Sequence, residues 1–130
     1  MTKRRILVID DEPHFVQMLK LVLERTGTYE VHTETRGRQG VAAARGFQPD
    51  LILLDVIMPD LDGGEVASQM RDDERLQQIP IVFVTATASR NEVKAAGSRI
   101  GGHLFLAKPV SIPDLVACIE AQLNGNGHGH

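Results

Sequence analysis

Four stretches of the chain are apolar without a break: residues 6–9, 51–54, 81–84 and 104–107. A strand with one wet face alternates polar and apolar positions. These four do not alternate, so each is predicted to be covered on both faces, as in a parallel sheet between two helix layers. A fifth stretch, residues 29–33, is more polar and is expected at the sheet edge. Between the strands, apolar residues recur at helical spacing. The first helix carries Val16, Leu19, Val22 and Leu23, opens at Pro13 with Asp11 or Glu12 as cap, and closes at Thr26-Gly27. A small-residue helix over 38–45 is built on Val41, Ala42 and Ala44 and closed by Gly46 and Pro49. A third, over 65–73, turns Val66, Ala67 and Met70 inward, and a polar linker follows. A fourth runs from Ser89 to about Ser98 with few large apolar residues, and the last bears Ile112, Leu115, Val116, Ile119 and Leu123 behind the capping-box start Ser111-Ile112-Pro113-Asp114.

Strands alternating with helices in this way predict an α/β fold, a (βα)5 three-layer sandwich whose parallel strands are joined by right-handed crossovers. With 130 residues the chain makes one domain, expected over residues 1–123, and the Gly/Asn/His stretch 124–130 is expected to be a disordered tail. Net charge of −3 argues against nucleic-acid or membrane binding. A single cysteine, Cys118, excludes an internal disulfide and fits a reducing compartment. The apolar run after the basic start is too short for a signal sequence or a membrane span, so a cytoplasmic location is expected.

In a parallel sheet all strands end at one edge, where open α/β folds keep their ligands. The residues at those ends are Asp10 and Asp11, Asp55, Thr85 and Lys108. Three carboxylates converging there repel one another, and oxygen-only ligands favour a hard, hydrated cation, hence Mg²⁺. Beside such a cation a carboxylate can attack a phosphoryl group and carry it as an acyl phosphate. Phosphoryl transfer otherwise needs positioning and charge neutralisation. Lys108 is expected to supply the charge, and Thr85 a hydrogen bond formed only when the phosphoryl is present.

The chain resembles the receiver domain of two-component response regulators. The resemblance is carried by Ile6-Leu7-Val8-Ile9-Asp10-Asp11-Glu12-Pro13, Asp50-Leu51-Ile52-Leu53-Leu54-Asp55, Met58-Pro59 with Asp62-Gly63, Val84-Thr85-Ala86 and Lys108-Pro109, spanning residue 4 to about 123. It implies a flavodoxin-like fold with a five-stranded sheet of order 2-1-3-4-5. It also implies that Asp55 accepts a phosphoryl group from a sensor histidine kinase or phosphotransfer protein. Asp11 binds Mg²⁺ directly, Asp10 mainly through water, and the Ile57 carbonyl is a further ligand. Lys108 pairs with the phosphoryl, and its bond to Pro109 is cis. Thr85 and Phe105 form a switch pair: the hydroxyl moves to the phosphoryl and the aromatic ring turns inward. That repacks the face of the fourth helix, fifth strand and last helix, through which a downstream protein, an output module or a second copy in a phosphorylation-dependent homodimer reads the state.

Two features are particular to this sequence. Phe105 lacks a hydroxyl, so its signal must travel through packing, and Ile57 is apolar where polar residues are common, which is expected to slow loss of the phosphoryl to water. A rival reading is a phosphohydrolase with an aspartyl nucleophile. Such enzymes usually place a second acid two residues on, where this chain has Ile57. Another is a receiver-fold scaffold that is never phosphorylated, against which the full acid set speaks. On the first reading the only catalysis is the chain's own modification and its reversal, so it is not an enzyme acting on other molecules. Gly63-Gly64 reads as turn geometry, Cys118 as inert and Glu12 as a helix-start acid. No output domain is expected after Leu123, and the chain is either a single-domain regulator or the receiver of a longer protein.

Overall fold

The computed structural model describes residues 3–86, 99–100 and 103–127. Strands β1 (Arg4–Ile9), β2 (Tyr29–Glu34), β3 (Leu51–Leu54), β4 (Ile81–Thr85), β5 (Arg99–Ile100) and β6 (His103–Ala107) form one sheet in the order β2-β1-β3-β4-β6-β5. Five of them pair in parallel, which is the expected 2-1-3-4-5 order with β6 as its fifth member. The two-residue β5 adds an antiparallel edge through Arg99↔Leu104 and Ile100↔His103. The helices are α1 (Pro13–Arg25), α2 (Gly40–Phe47), α3 (Gly63–Arg71) and α4 (Ile112–Gly127). The helix expected over 89–98 lies outside the described residues.

The unbroken apolar strands are explained by two cores. Alternate residues point to opposite faces, so Ile6, Val8, Leu51, Leu53, Val82 and Val84 meet Leu19, Leu23, Leu115 and Ile119 of α1 and α4. Leu7, Ile9, Ile52, Leu54 and Phe83 meet Ala44, Val66 and Met70 of α2 and α3. β1, β3 and β4 thus serve both helix layers, and their residues 6–9, 51–54 and 81–84 leave no position for a polar face.

Local details depart from the sequence reading at a few points. Ala42 is exposed, and Val41 and Ala43 only partly cover the core. A 3-10 turn, Gly37–Gln39, precedes α2, which passes Gly46 and ends at Gln48, a left-handed residue at φ 53. Its N–H reaches Ala44 O at 2.8 Å and its side-chain amide Arg45 O at 2.8 Å. The linker after α3 is not wholly polar in role, since Leu76 is buried in the second core. Helix α4 opens as expected, with Ser111 Oγ accepting from the Asp114 N–H at 3.1 Å, but it runs on to Gly127 rather than stopping at Leu123. Among the described residues no helix is long and apolar enough to cross a membrane.

Candidate functional site

The backbone ladder continues one step past several strand ends, and this aligns the site. The Asp10 N–H donates to Glu34 O, the Asp55 N–H to Ile9 O and the Lys108 N–H to Thr85 O, each at 3.0 Å. Three functional residues are therefore held by the same hydrogen bonds that hold the sheet. Asp10, Asp11 and Asp55 each bring a carboxylate oxygen within 4.8 Å of the others. Asp10 and Asp55 are only 1% and 6% exposed, and Thr85 is fully buried.

The electrostatics follow from that burial. Desolvation pushes the Asp55 carboxyl above the usual carboxylate range, and the negative charge of Asp10 pushes it further, while Lys108 and the Thr85 hydroxyl pull it back. Asp10 is likewise raised, chiefly by burial, against hydrogen bonds from Lys108 and the Glu12 N–H. Lys108 would be lowered by burial alone. Hydrogen bonds to Asp10 and Glu12, with the charges of Asp10 and Asp55, outweigh that and hold its ammonium above the ordinary value. The ammonium lies 2.8 Å from Asp10 Oδ2, 2.5 Å from Glu12 Oε1 and 3.9 Å from Asp55 Oδ2.

Three hard oxygen donors at this separation suit Mg²⁺. The buried Asp10 Oδ2 supports the fit: among the described residues it faces the Lys108 ammonium at 2.8 Å and no other donor, which leaves it able to face a metal as well. Two acids held charged in such burial cost stability unless a cation faces them.

The sequence-expected residues converge with a few differences. Asp10, Asp11, Asp55, Thr85 and Lys108 meet, and the Lys108–Pro109 bond is cis. The Thr85 side chain stands beside Asp55, close enough to lower its carboxyl before any phosphoryl group is present. The Ile57 side chain, 56% exposed, lies at the surface. Phe105 is already inward: it is 8% exposed, sits in the second core, and stacks on Phe83 with ring centroids 4.9 Å apart.

Two contributors are not legible in the sequence. Glu12 caps α1 without a side-chain cap bond and spends its carboxylate on Lys108 instead. Phe15, one turn on, places its ring 4.4 Å from the Lys108 ammonium, a cation–π contact. The signal for Glu12 was its place beside Asp11, but nothing in the chain says which cation it would meet.

The loop after Asp55 is fixed by close approach. The Gly63 N–H donates to Val56 O at 2.7 Å. A Cβ at Gly63 would stand 2.2 Å from Asp55 O, so only glycine fits. Asp62 caps α3 by accepting from the Glu65 N–H at 2.9 Å. Asp62-Gly63 therefore anchors the helix against the residue that carries the central carboxylate.

Comparison with known proteins agrees with this site. The response regulator receiver domain family matches residues 6–120. The chain belongs to that family. Protein PilH of Pseudomonas aeruginosa is 37% identical over 121 residues, covering 93% of this chain and 98% of PilH. The DNA-binding dual master transcriptional regulator RpaA of Synechocystis sp. is 37% identical over 119 residues, covering 92% of this chain but 48% of RpaA. The receiver thus spans about half the length of some relatives and nearly all of others. A solved CheY-like receiver domain from Methanospirillum hungatei superposes with a TM-score of 0.83 at 25% identity, covering 99% of this chain and 100% of that one. This receiver is a phosphoacceptor module of the two-component kind, and the phosphohydrolase reading is not favoured.

Proposed function

We propose that Asp55 is the phosphoacceptor, that its phosphoryl comes from a sensor histidine kinase or phosphotransfer protein, and that transfer requires Mg²⁺. The observation that carries this reading is the buried Asp55 carboxyl, raised first by that burial, beside Asp10, Asp11 and Lys108 at the carboxyl edge of the sheet.

Asp10, Asp11 and Asp55 would hold the metal, with the Ile57 carbonyl as a further ligand. When bound, the metal offsets the repulsion among the acids and the charge on the phosphoryl oxygens. The Asp55 carboxylate attacks phosphorus, the bond to the donor histidine nitrogen breaks, and its electron pair leaves with the imidazole. Lys108 swings from Asp10 and Glu12 toward the new phosphoryl oxygens, and Thr85 turns its hydroxyl to the phosphoryl. Burial keeps water from the acyl phosphate until slow hydrolysis resets Asp55. Catalysis is confined to this modification.

Phosphorylation biases an existing equilibrium between two packings. A face that includes β6 and α4 would present the outcome to a downstream protein or output module, or to a second copy in a homodimer. The inward Phe105 makes that change one of repacking against Phe83 rather than entry from solvent. The domain would span residues 1–123 and act in the cytoplasm, where Cys118 stays reduced.

The test is incubation with a small-molecule phosphodonor and Mg²⁺, followed by intact mass measurement. One added phosphoryl is expected, and none after chelation. Labelling that persists in chelator contradicts the metal-dependent mechanism.

A further inference from the structure

Strand β2 is the open end of the sheet: among the described residues its strand neighbour is β1, on one side. Successive residues of a strand turn their backbone groups to alternate sides. The Arg4 N–H donates to Thr28 O and the Asp10 N–H to Glu34 O, so Glu30, His32 and Glu34 give theirs to β1. Tyr29, Val31 and Thr33 turn theirs outward, where a further strand would pair.

At Val31 that place is taken. Its N–H donates to Glu24 Oε2 at 3.0 Å, and its C=O accepts from Lys20 Nζ at 2.8 Å. The two side chains also meet each other at 3.1 Å. Together they offer the strand an acceptor and a donor, as the backbone of a neighbouring strand would.

The pair is poorly placed for the helix that carries it. Glu24 lies in the last turn of α1, which ends at Arg25, and a negative charge is disfavoured beside the free carbonyls there. Lys20 ahead of Glu24 is also the weaker order for an i,i+4 pair. The Val31 N–H is the largest of the influences that hold the Glu24 carboxyl below its usual range. The strand, not the helix, accounts for this acid.

We infer that Lys20 and Glu24 are an edge guard: they stand in for a strand and close β2 to pairing with β2 of a second copy of this chain. The occupant follows from the strand's own sequence. A twofold axis at Val31 lays two antiparallel copies along each other, with Tyr29 opposite Thr33 and Glu30 opposite His32. Moving the axis by one residue sets Glu30 opposite Glu34 or opposite itself, and like charges directly opposite are destabilising. The favoured register is thus centred on the residue that the guard holds.

Amide hydrogen exchange and sedimentation of the full chain at rising protein concentration test the guard in the double variant Lys20→Ala, Glu24→Ala, which keeps strong helix formers. In the wild type Val31 should stay protected at every concentration. In the dilute double variant its exchange should speed up at least about tenfold. At high concentration it should slow again, together with that of Tyr29 and Thr33, as a dimer forms. Adding His32→Glu, which sets a second acid opposite Glu30, should abolish both the dimer and the regained protection. Glu24→Gln keeps an acceptor for the Val31 N–H and should stay as protected as the wild type. Val31 still protected in the dilute double variant, no association, or association that leaves β2 unprotected overturns the guard. So does a dimer indifferent to His32→Glu. Should the double variant not fold, Glu24→Ala alone is expected to show the same changes to a smaller extent, and the same outcomes overturn the guard there.

Discussion

Lys108 Nζ stands 3.9 Å from Asp55 Oδ2, outside hydrogen-bonding distance of the carboxylate whose phosphoryl it is proposed to hold. Its short contacts are instead to Asp10 at 2.8 Å and Glu12 at 2.5 Å, with Phe15 beneath. Before modification the ammonium is parked, and part of that hold comes from a residue that is itself well exposed.

Glu12→Gln should therefore ease the move of Lys108 toward Asp55. Exposed ion pairs contribute up to about 1 kcal/mol, so the labelling rate with a small phosphodonor should rise about two- to fivefold. Time courses of intact mass for wild type and variant check this. A slower variant would mean that Glu12 assists transfer rather than restraining the lysine.

The acid cluster should cost stability when no cation is present, because burial and mutual repulsion both disfavour the charged forms of Asp10 and Asp55. Asp55→Asn removes one charge and should raise the Tm of metal-free protein by about 2–6 °C. Mg²⁺ should raise the Tm of the wild type, by linkage to binding, and do so less in the variant. Thermal scans with chelator and with Mg²⁺ measure both. A variant that melts lower than wild type in chelator contradicts the balance drawn here.

Gly63 and Gly64 should respond differently to the same change. A Cβ at Gly63 meets Asp55 O and Val56 Cα, which are backbone and cannot step aside, so Gly63→Ala should cost at least about 1–3 kcal/mol. A Cβ at Gly64 meets only the Asp62 side chain at 3.2 Å, and Gly64→Ala should stay within about 1 kcal/mol of wild type. Urea midpoints of the two variants decide it, and equal losses would refute the close-approach explanation.

Much of this was legible in the sequence because the cause was local. Two-sided burial leaves its mark as unbroken apolar runs, which placed β1, β3, β4 and most of β6. A parallel sheet then brings Asp10, Asp55, Thr85 and Lys108 to one edge with no further information. What stayed hidden depends on side chains meeting across the fold. Glu12 could have capped α1, and only the arrival of Lys108 from residue 108 gives it another partner. Phe105 looked free to move inward because the chain does not show that Phe83 is its cross-strand neighbour. The antiparallel β5 is two residues long, too short for any period to register. Gln48 takes a left-handed turn where glycine was the natural guess, since its own amide caps the helix it ends.

Ile57 stands two residues after the proposed acceptor with its side chain at the surface. An apolar group there cannot orient an attacking water. Ile57→Asn, which adds a donor and an acceptor, should shorten the phosphoryl lifetime about two- to tenfold. Loss of the added mass after donor removal measures this, and an unchanged lifetime removes Ile57 from the account.

The central claim is that the phosphoryl resides on Asp55 and on no other group. Borohydride reduces an acyl phosphate to the alcohol, so the modified aspartate is converted to homoserine and can be located by peptide mass mapping. After labelling with Mg²⁺ and a small phosphodonor, homoserine is expected at position 55 alone, and the Asp55→Asn protein should yield none. Homoserine at position 10 or 11, or a phosphoryl group that resists borohydride, would contradict the assignment.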